Sequence, residues 1–210
     1  MSFGKALQIV LLQSLPGNGR PLHRNASACQ QLVFRYIGGD MKVVPITQEN
    51  AHIFEVFEQD YESEFSAITK KEPNAEGRFA IEADWGAPNK GFYLFIEDIS
   101  NGIQKSASGN PVGYKPAGFA VRGEIDGRSD IAEFYILPCY RKKGLGKLFA
   151  FADFDRFHGP WQVRQISTAV EATSFWRTVI HEYTHGNYAE DQINDPHWGV
   201  VIRQRFTSKP

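Results

Sequence analysis

Between residues 130 and 166 the chain changes period twice within a short span. "DIAEFYIL" has the aromatic and β-branched make-up of a strand. Pro138 stops it, "CYRKKGLG" forms a turn, and "KLFAFADFDRF" continues as a helix that closes at "HGP". "WQVRQI" then starts a new strand. Strand, crossover helix and strand in one sheet make a right-handed β-α-β unit. That unit commits the chain to a mixed sheet, and so to an α+β (mixed α/β) fold.

The remainder is read around this unit. "KVVPI" is a short strand, and Thr47 can cap the helix after it, with Glu49 in the first turn where the dipole favours an acid. Ile53, Phe54, Phe57, Tyr61 and Phe65 fall at helical spacing, while Glu55, Glu58, Asp60, Glu62 and Glu64 make the other faces acidic. "GFYLFIED" and "AGFAVRGE" are strands, joined by the Gly, Ser and Asn-rich "ISNGIQKSASGNPVGYKP". A turn at "IDGRS" leads into "DIAEFYIL". A second helix runs from about Thr168 to His185, and "HWGVVIRQRF" is the last strand.

The bulk composition excludes more than it proposes. The 210 residues suit one domain. A net charge of −1 gives no global pull toward nucleic acid or an anionic membrane surface. No apolar run approaches the ~20 residues of a membrane span. Cys29 and Cys139 fit no metal-ligand or redox spacing, and suggest a reducing, cytoplasmic setting. Residues 1–39 contain no acid and are broken by "PGNGRP", so residues 1–40 read as an N-terminal extension outside the core, with a targeting segment as the alternative. The core domain is expected over 41–210, from "MKVVPIT" onward.

"HEYTH" spells H-E-x-x-H, the pattern of a zinc peptidase helix, expected by chance only ~0.01 times in such a chain. It needs both His on one helical face at a cleft, with the Glu as base. Here Ala172, Phe175, Trp176, Val179, Ile180 and Tyr183 form the core-facing stripe, and His181 and His185 fall opposite, near Arg177. The reading adopted is therefore surface histidines and no metal, with a zinc metallopeptidase through His181, Glu182 and His185 kept as an alternative.

"RKKGLGK" says more. Arg141, Lys142, Lys143 and Lys147 crowd a helix start that is already positive. An anion docked there removes the conflict, and Gly144 and Gly146 let the backbone of the turn, Leu145 included, approach a phosphate. The spacing is neither a Walker loop nor the dinucleotide G-x-G-x-x-G, since position 149 is Phe.

"EFYILPCYRKKGLGKLFAF" resembles the acetyl-CoA motif of the Gcn5-related N-acetyltransferase (GNAT) superfamily, in which a strand ends in V-x-P-x-x-[QR]-x-x-G-x-[GA]. "AVEATSFW" places Ala172, Phe175 and Trp176 in register with the family's N-x-x-A-x-x-[FL]-[YW]. "GPWQVRQ" and "FWRTVIHEYTHG" resemble a bacterial subgroup of such enzymes. The resemblance covers roughly residues 41–206 and departs in two places: Ala169 replaces the Asn, and Trp176 replaces the Tyr that in many members protonates the leaving thiolate.

The resemblance implies the GNAT-type acyl-CoA N-acyltransferase fold, a central mixed sheet with helices on both faces, and acetyl transfer from acetyl-CoA to a primary amine by direct attack, with no metal. It implies that pantetheine pairs with the strand edge at Phe134 and Ile136. The diphosphate would rest on Arg141, Lys142, Lys143, Gly144, Leu145, Gly146 and Lys147, with Trp176 beside the cofactor. Glu133 is the first choice of base, Asp130 and Glu64 stand behind it on the acceptor side, and Tyr183 or water replaces the missing acid. The acidic helix face suggests a small cationic acceptor. A non-catalytic acyl-CoA-binding regulator is the alternative on the same fold, and a homodimer is left open.

Overall fold

The computed structural model describes residues 32–36, 39–97 and 113–209. They form an eight-stranded sheet and three helices: β1 (Leu32–Tyr36), β2 (Gly39–Pro45), α1 (Ala51–Thr69), β3 (Gly91–Glu97), β4 (Tyr114–Ile125), β5 (Arg128–Ile136), α2 (Leu145–Arg156), β6 (Gly159–Ile166), α3 (Val170–Thr184), β7 (Ala189–Asp195) and β8 (Gly199–Ser208). The strand order is β1-β2-β3-β4-β5-β6-β8-β7. All neighbours are antiparallel except β5 and β6, which run parallel across the α2 crossover. This is the mixed sheet that the β-α-β unit requires.

Local chemistry explains the elements. β3 reads GFYLFIE and is buried on both faces: Phe92, Leu94 and Ile96 point one way, Tyr93 and Phe95 the other. Asp126 and Gly127, both with positive φ (53° and 70°), make the tight turn between β4 and β5. A Cβ at Gly118 would lie 2.2 Å from the Tyr135 carbonyl oxygen, so β4 admits no side chain there without a shift of the backbone. α1 ends at Lys70 in the left-handed conformation, its N–H on the Ser66 carbonyl.

Two cores result, one on each face of the sheet. α1 lays Phe54, Phe57, Tyr61 and Phe65 against Tyr93, Phe95, Phe119 and Tyr135. α2 and α3 lay Phe149, Phe154, Trp176, Val179 and Ile180 against Phe92, Leu94, Phe134 and Trp161. Each such side chain contributes about 1.5–3 kcal/mol by burial. Truncating fully buried Phe54 to Ala should cost ~3–5 kcal/mol.

The structure corrects three expectations. The sheet starts upstream of Met41, because β1 pairs with β2 in the register Phe34↔Met41, so the boundary at residue 40 does not mark the edge of the sheet. Residues 1–31 of the expected extension, Cys29 among them, lie outside the described residues, as does most of the 99–116 connection. α1 starts at Ala51, not after Thr47: Thr47 donates its N–H to Asn50 Oδ1, Asn50 Nδ2 bonds the Pro45 carbonyl, and no acid sits in the first turn. β7 has no signal in the sequence. Its sequence, AEDQIND, is held to β8 by polar pairs, Arg203 and Arg205 both reaching Asp191. No helix among the described residues is long and apolar enough to cross a membrane.

Candidate active site

The parallel pair is short. β5 and β6 are in register only at Ser129↔Trp161 and Asp130↔Gln162, although β5 runs on to Ile136 and β6 to Ile166. Beyond Asp130 the two strands part. The cause lies two residues further on: Val121 pairs with Glu133 and Arg122 with Ile131, so Ala132 is a surplus residue that bulges β5. A bulge bends its strand and increases the local twist. At the apex Asp130 takes two hydrogen bonds from Arg164, Nε to Oδ1 and Nη2 to Oδ2, both 3.1 Å. Arg164 Nη1 also lies 3.5 Å from Asp195. Burial pushes the Asp130 carboxyl up to about 6 against the pull of Arg164, which leaves it charged at neutral pH. Asp130 is thus a strap across the strand junction and does not line the cavity beside Glu133.

The bulge also decides which way Glu133 points. Ile131 belongs to the α2/α3 side, Ala132 and Tyr135 to the α1 side, Phe134 and Ile136 again to the α2/α3 side. Glu133 is 6% exposed and faces α1, where it lines a cavity of about 590 Å³. Tyr61, Glu62, Phe65, Lys71, Glu82 and Trp198 line it too. Its walls are fixed. Phe65 meets Trp198 at a ring distance of 5.6 Å, and Asp195 Oδ1 accepts the N–H groups of His197 and Trp198. Lys71 Nζ lies 2.8 Å from Glu62 and donates to the Ala80 carbonyl. Gln59 pairs with both backbone groups of Phe79. Glu58, fully buried on α1, sits behind Glu133 within hydrogen-bonding reach. Burial first, and the charge of Glu133 after it, raise the Glu58 carboxyl, and burial likewise raises Glu133.

The glycine turn sits where the strands open. Pro138–Tyr140 forms one 3-10 turn, Lys142 and Gly144 adopt positive φ (62° and 78°), and α2 begins at Leu145. The first intrahelical bond runs from Leu148 N–H to the Gly144 carbonyl. The N–H groups of residues 145–147 therefore have no intrahelical acceptor, and no side chain caps them. Lys142 and Lys143 are exposed, the latter with Nζ on the Cys139 carbonyl, 2.9 Å. Two expected phosphate ligands are engaged elsewhere. Arg141 folds back, Nε on the Ile136 carbonyl at 2.7 Å and Nη2 on Glu64 at 2.8 Å, so it joins the end of β5 to α1. Glu64 also accepts from the Tyr135 hydroxyl, 3.3 Å. Lys147 pairs with Glu182 at 2.8 Å.

Two further sequence candidates sit away from this centre. Tyr183 is on the other face of the sheet from Glu133, packed on Phe151, Phe154 and Phe206, with its hydroxyl donating to Asp155 (2.9 Å) and 2.8 Å from Ser208 Oγ. Burial raises its phenol further above neutrality. The structure does not bring it to Glu133. Trp176 is fully buried against Phe134, Phe154 and Phe175, and its Nε1 has no partner among the described residues. Gln165 near the end of β6 is likewise fully buried with both amide atoms unpartnered. In the H-E-x-x-H stretch, His181 and His185 are exposed, Glu182 holds Lys147, and left-handed His185 and Gly186 end the helix. No group of three His, Cys, Asp or Glu among the described residues is placed to hold a metal.

Sequence reading missed Glu58 and Glu62 as site residues, although a signal existed. They lie four and eight residues after Phe54, within the stripe that carries Tyr61 and Phe65 to the core.

No family model matches the chain, and no curated protein matches it. Among solved structures, that of the ribosomal-protein-S18-alanine N-acetyltransferase from Escherichia coli is similar at a TM-score of 0.44 and 10% identity. The match covers 81% of this chain and 95% of that chain.

Proposed function

We propose that the chain is an N-acetyltransferase that moves acetyl from acetyl-CoA to a small cationic primary amine. The observation that carries this reading is the parting of β5 and β6, with a cationic glycine turn on one side of the gap and a buried carboxylate over a cavity on the other. The residues present suit the donor. The edge of β5 beyond Ile131 offers backbone groups to the pantetheine amides. The N–H groups at the start of α2, with Lys142 and Lys143, suit a diphosphate. On the acceptor side, Glu62, Glu82 and Glu133 face one cation, Lys71, and Tyr61, Phe65 and Trp198 add aromatic faces. That lining favours a positively charged guest.

In the reaction an ammonium gives a proton to Glu133, directly or through water. The amine lone pair then forms the C–N bond at the thioester carbon, and the C–S electron pair leaves with sulfur. The nitrogen's second proton goes to the thiolate or to solvent. With Tyr183 remote, water supplies the thiol proton, or the thiolate leaves without help. General-base assistance is worth roughly 10²–10⁴-fold. Glu133→Gln should lose that factor in kcat while its affinity for coenzyme A, read by calorimetry, stays unchanged. Thiol release from acetyl-CoA over a panel of amines tests the reading itself. Ala169 and buried Trp176 favour a second one, a non-catalytic acyl-CoA-binding regulator. Calorimetric binding with no thiol release for any amine would select it.

A further inference from the structure

Glu58 has no role in the chemistry above, yet its placement is hard to explain otherwise. It is 0% exposed, on α1, and neither carboxylate oxygen finds a hydrogen-bond partner among the described residues. Glu133, across from it on β5, is 6% exposed, with Oε2 also unpartnered. Two ionised carboxylates are both pure acceptors, so neither can satisfy the other. The nearby cation does not resolve this, because Lys71 is committed to Glu62 and to the Ala80 carbonyl. The charged and titratable groups around the pair are Tyr61 and Glu62 from α1, Lys71 and Glu82 from the segment after it, and His197 from the β7–β8 turn. Three of these are acidic or phenolic, so the surroundings add negative charge. The donor that the site lacks is a proton.

We propose that Glu58 is a positioning residue that keeps a proton and donates it in a hydrogen bond to Glu133, so that the pair carries one negative charge, on the side facing the cavity. Glu133 is then oriented and partly stabilised as an anion. It still accepts the ammonium proton, after which both carboxyls are neutral. Its base strength is set by its surroundings: burial raises the Glu133 carboxyl most, the hydrogen bond from Glu58 lowers it, and the charges of Glu62 and Glu82 raise it. The proposal rests on the acetyltransferase reading for its catalytic consequence, but not for the shared proton.

Two measurements separate these parts. Infrared difference spectra of wild type against Glu58→Gln at neutral pH, without amine or acetyl-CoA, should show a protonated-carboxyl C=O band present only in wild type. The pH profile of kcat/KM should then distinguish the variants. Activity rises with pH as Glu133 loses its proton. Glu58→Met removes the donor, so the acid limb should move up by about one pH unit, a tenfold loss below it. Glu58→Gln keeps an N–H donor and should leave the limb in place. Absence of the band overturns the proposal. So does a band accompanied by equal limb shifts in the two variants, which would mark a merely structural side chain. If Glu58→Met does not fold, the band and the Glu58→Gln limb decide together. A band with no turnover of any amine upholds the shared proton and overturns the acetyltransferase reading instead.

Discussion

Arg164 grips Asp130 with two hydrogen bonds at the last point where β5 and β6 still touch. The pair is 7% and 1% exposed in its side chains, so it is desolvated as well as geometrically matched. Breaking one side of such a pair leaves a buried charge alone and typically costs ~3–5 kcal/mol. Arg164→Met should lower the unfolding free energy by that order in urea titrations. Asp130→Asn combined with Arg164→Met should recover part of the loss. A loss no larger than that at a surface ion pair would show that the strands are held together by other means.

The exposed lysines of the glycine turn carry the next prediction. Lys142→Glu with Lys143→Glu should weaken coenzyme A binding by at least tenfold in calorimetry, and the remaining affinity should depend less steeply on salt. Arg141→Met should act differently. It loosens the joint between Ile136 and Glu64, and so should lower thermal stability as well as affinity.

The sequence offers Tyr183 or water as the acid, and the position of Tyr183 argues for a structural role. Tyr183→Phe should leave kcat within about twofold of wild type, since general acid–base help from a true participant is worth roughly 10²–10⁴-fold. Stability should fall by about 1–3 kcal/mol, because Asp155 and Ser208 lose the hydroxyl between them. Steady-state kinetics and a thermal melt on one preparation check both halves.

Asp153 on α2 is 1% exposed, with both oxygens unpartnered among the described residues. Burial pushes its carboxyl up from 3.8 to about 7, against Arg156 and Arg122. A folded-state value raised in this way means that the native protein holds a proton that the unfolded chain gives up. The associated stability is full below pH 3.8 and is lost as the pH rises through about 7. Asp153→Asn, which mimics the protonated form, should be more stable than wild type at pH 8, by on the order of 2–4 kcal/mol. The gap should narrow steadily as the pH falls toward 4. Denaturant titrations at three pH values test the trend.

Much of this molecule was legible before its structure. The β5-turn-α2-β6 crossover followed from Pro138, the glycines and a change of period, and β3 from an apolar aromatic run. What escaped has a common physical cause, dependence on a neighbour. β7 carries one large apolar residue, Ile193, and becomes a strand where β8 offers it a backbone ladder and two arginines for Asp191. β1 was set aside with the segment before Met41, and only its pairing with β2 shows it to be part of the sheet. Glu58 and Glu62 look like members of a solvated acidic face until Glu133 and Lys71 are placed against them. Arg141 looks like a phosphate ligand until Glu64 is found beside it.

The surplus residue at Ala132 has a wider meaning. Side chains along a regular strand take alternate sides, yet Ala132 and Glu133 both face α1, because the bulge absorbs the extra position. Pull β5 straight with that residue retained, and the acid of the cavity would be swung into the oily layer beneath α2 and α3, while Phe134 would plug the place it vacated. Remove the residue together with the kink, and strict alternation from Ile131 leaves the acid where it is. What this protein can do to a guest in that cavity therefore depends on count and kink together, even where the identity of the extra residue is free to drift.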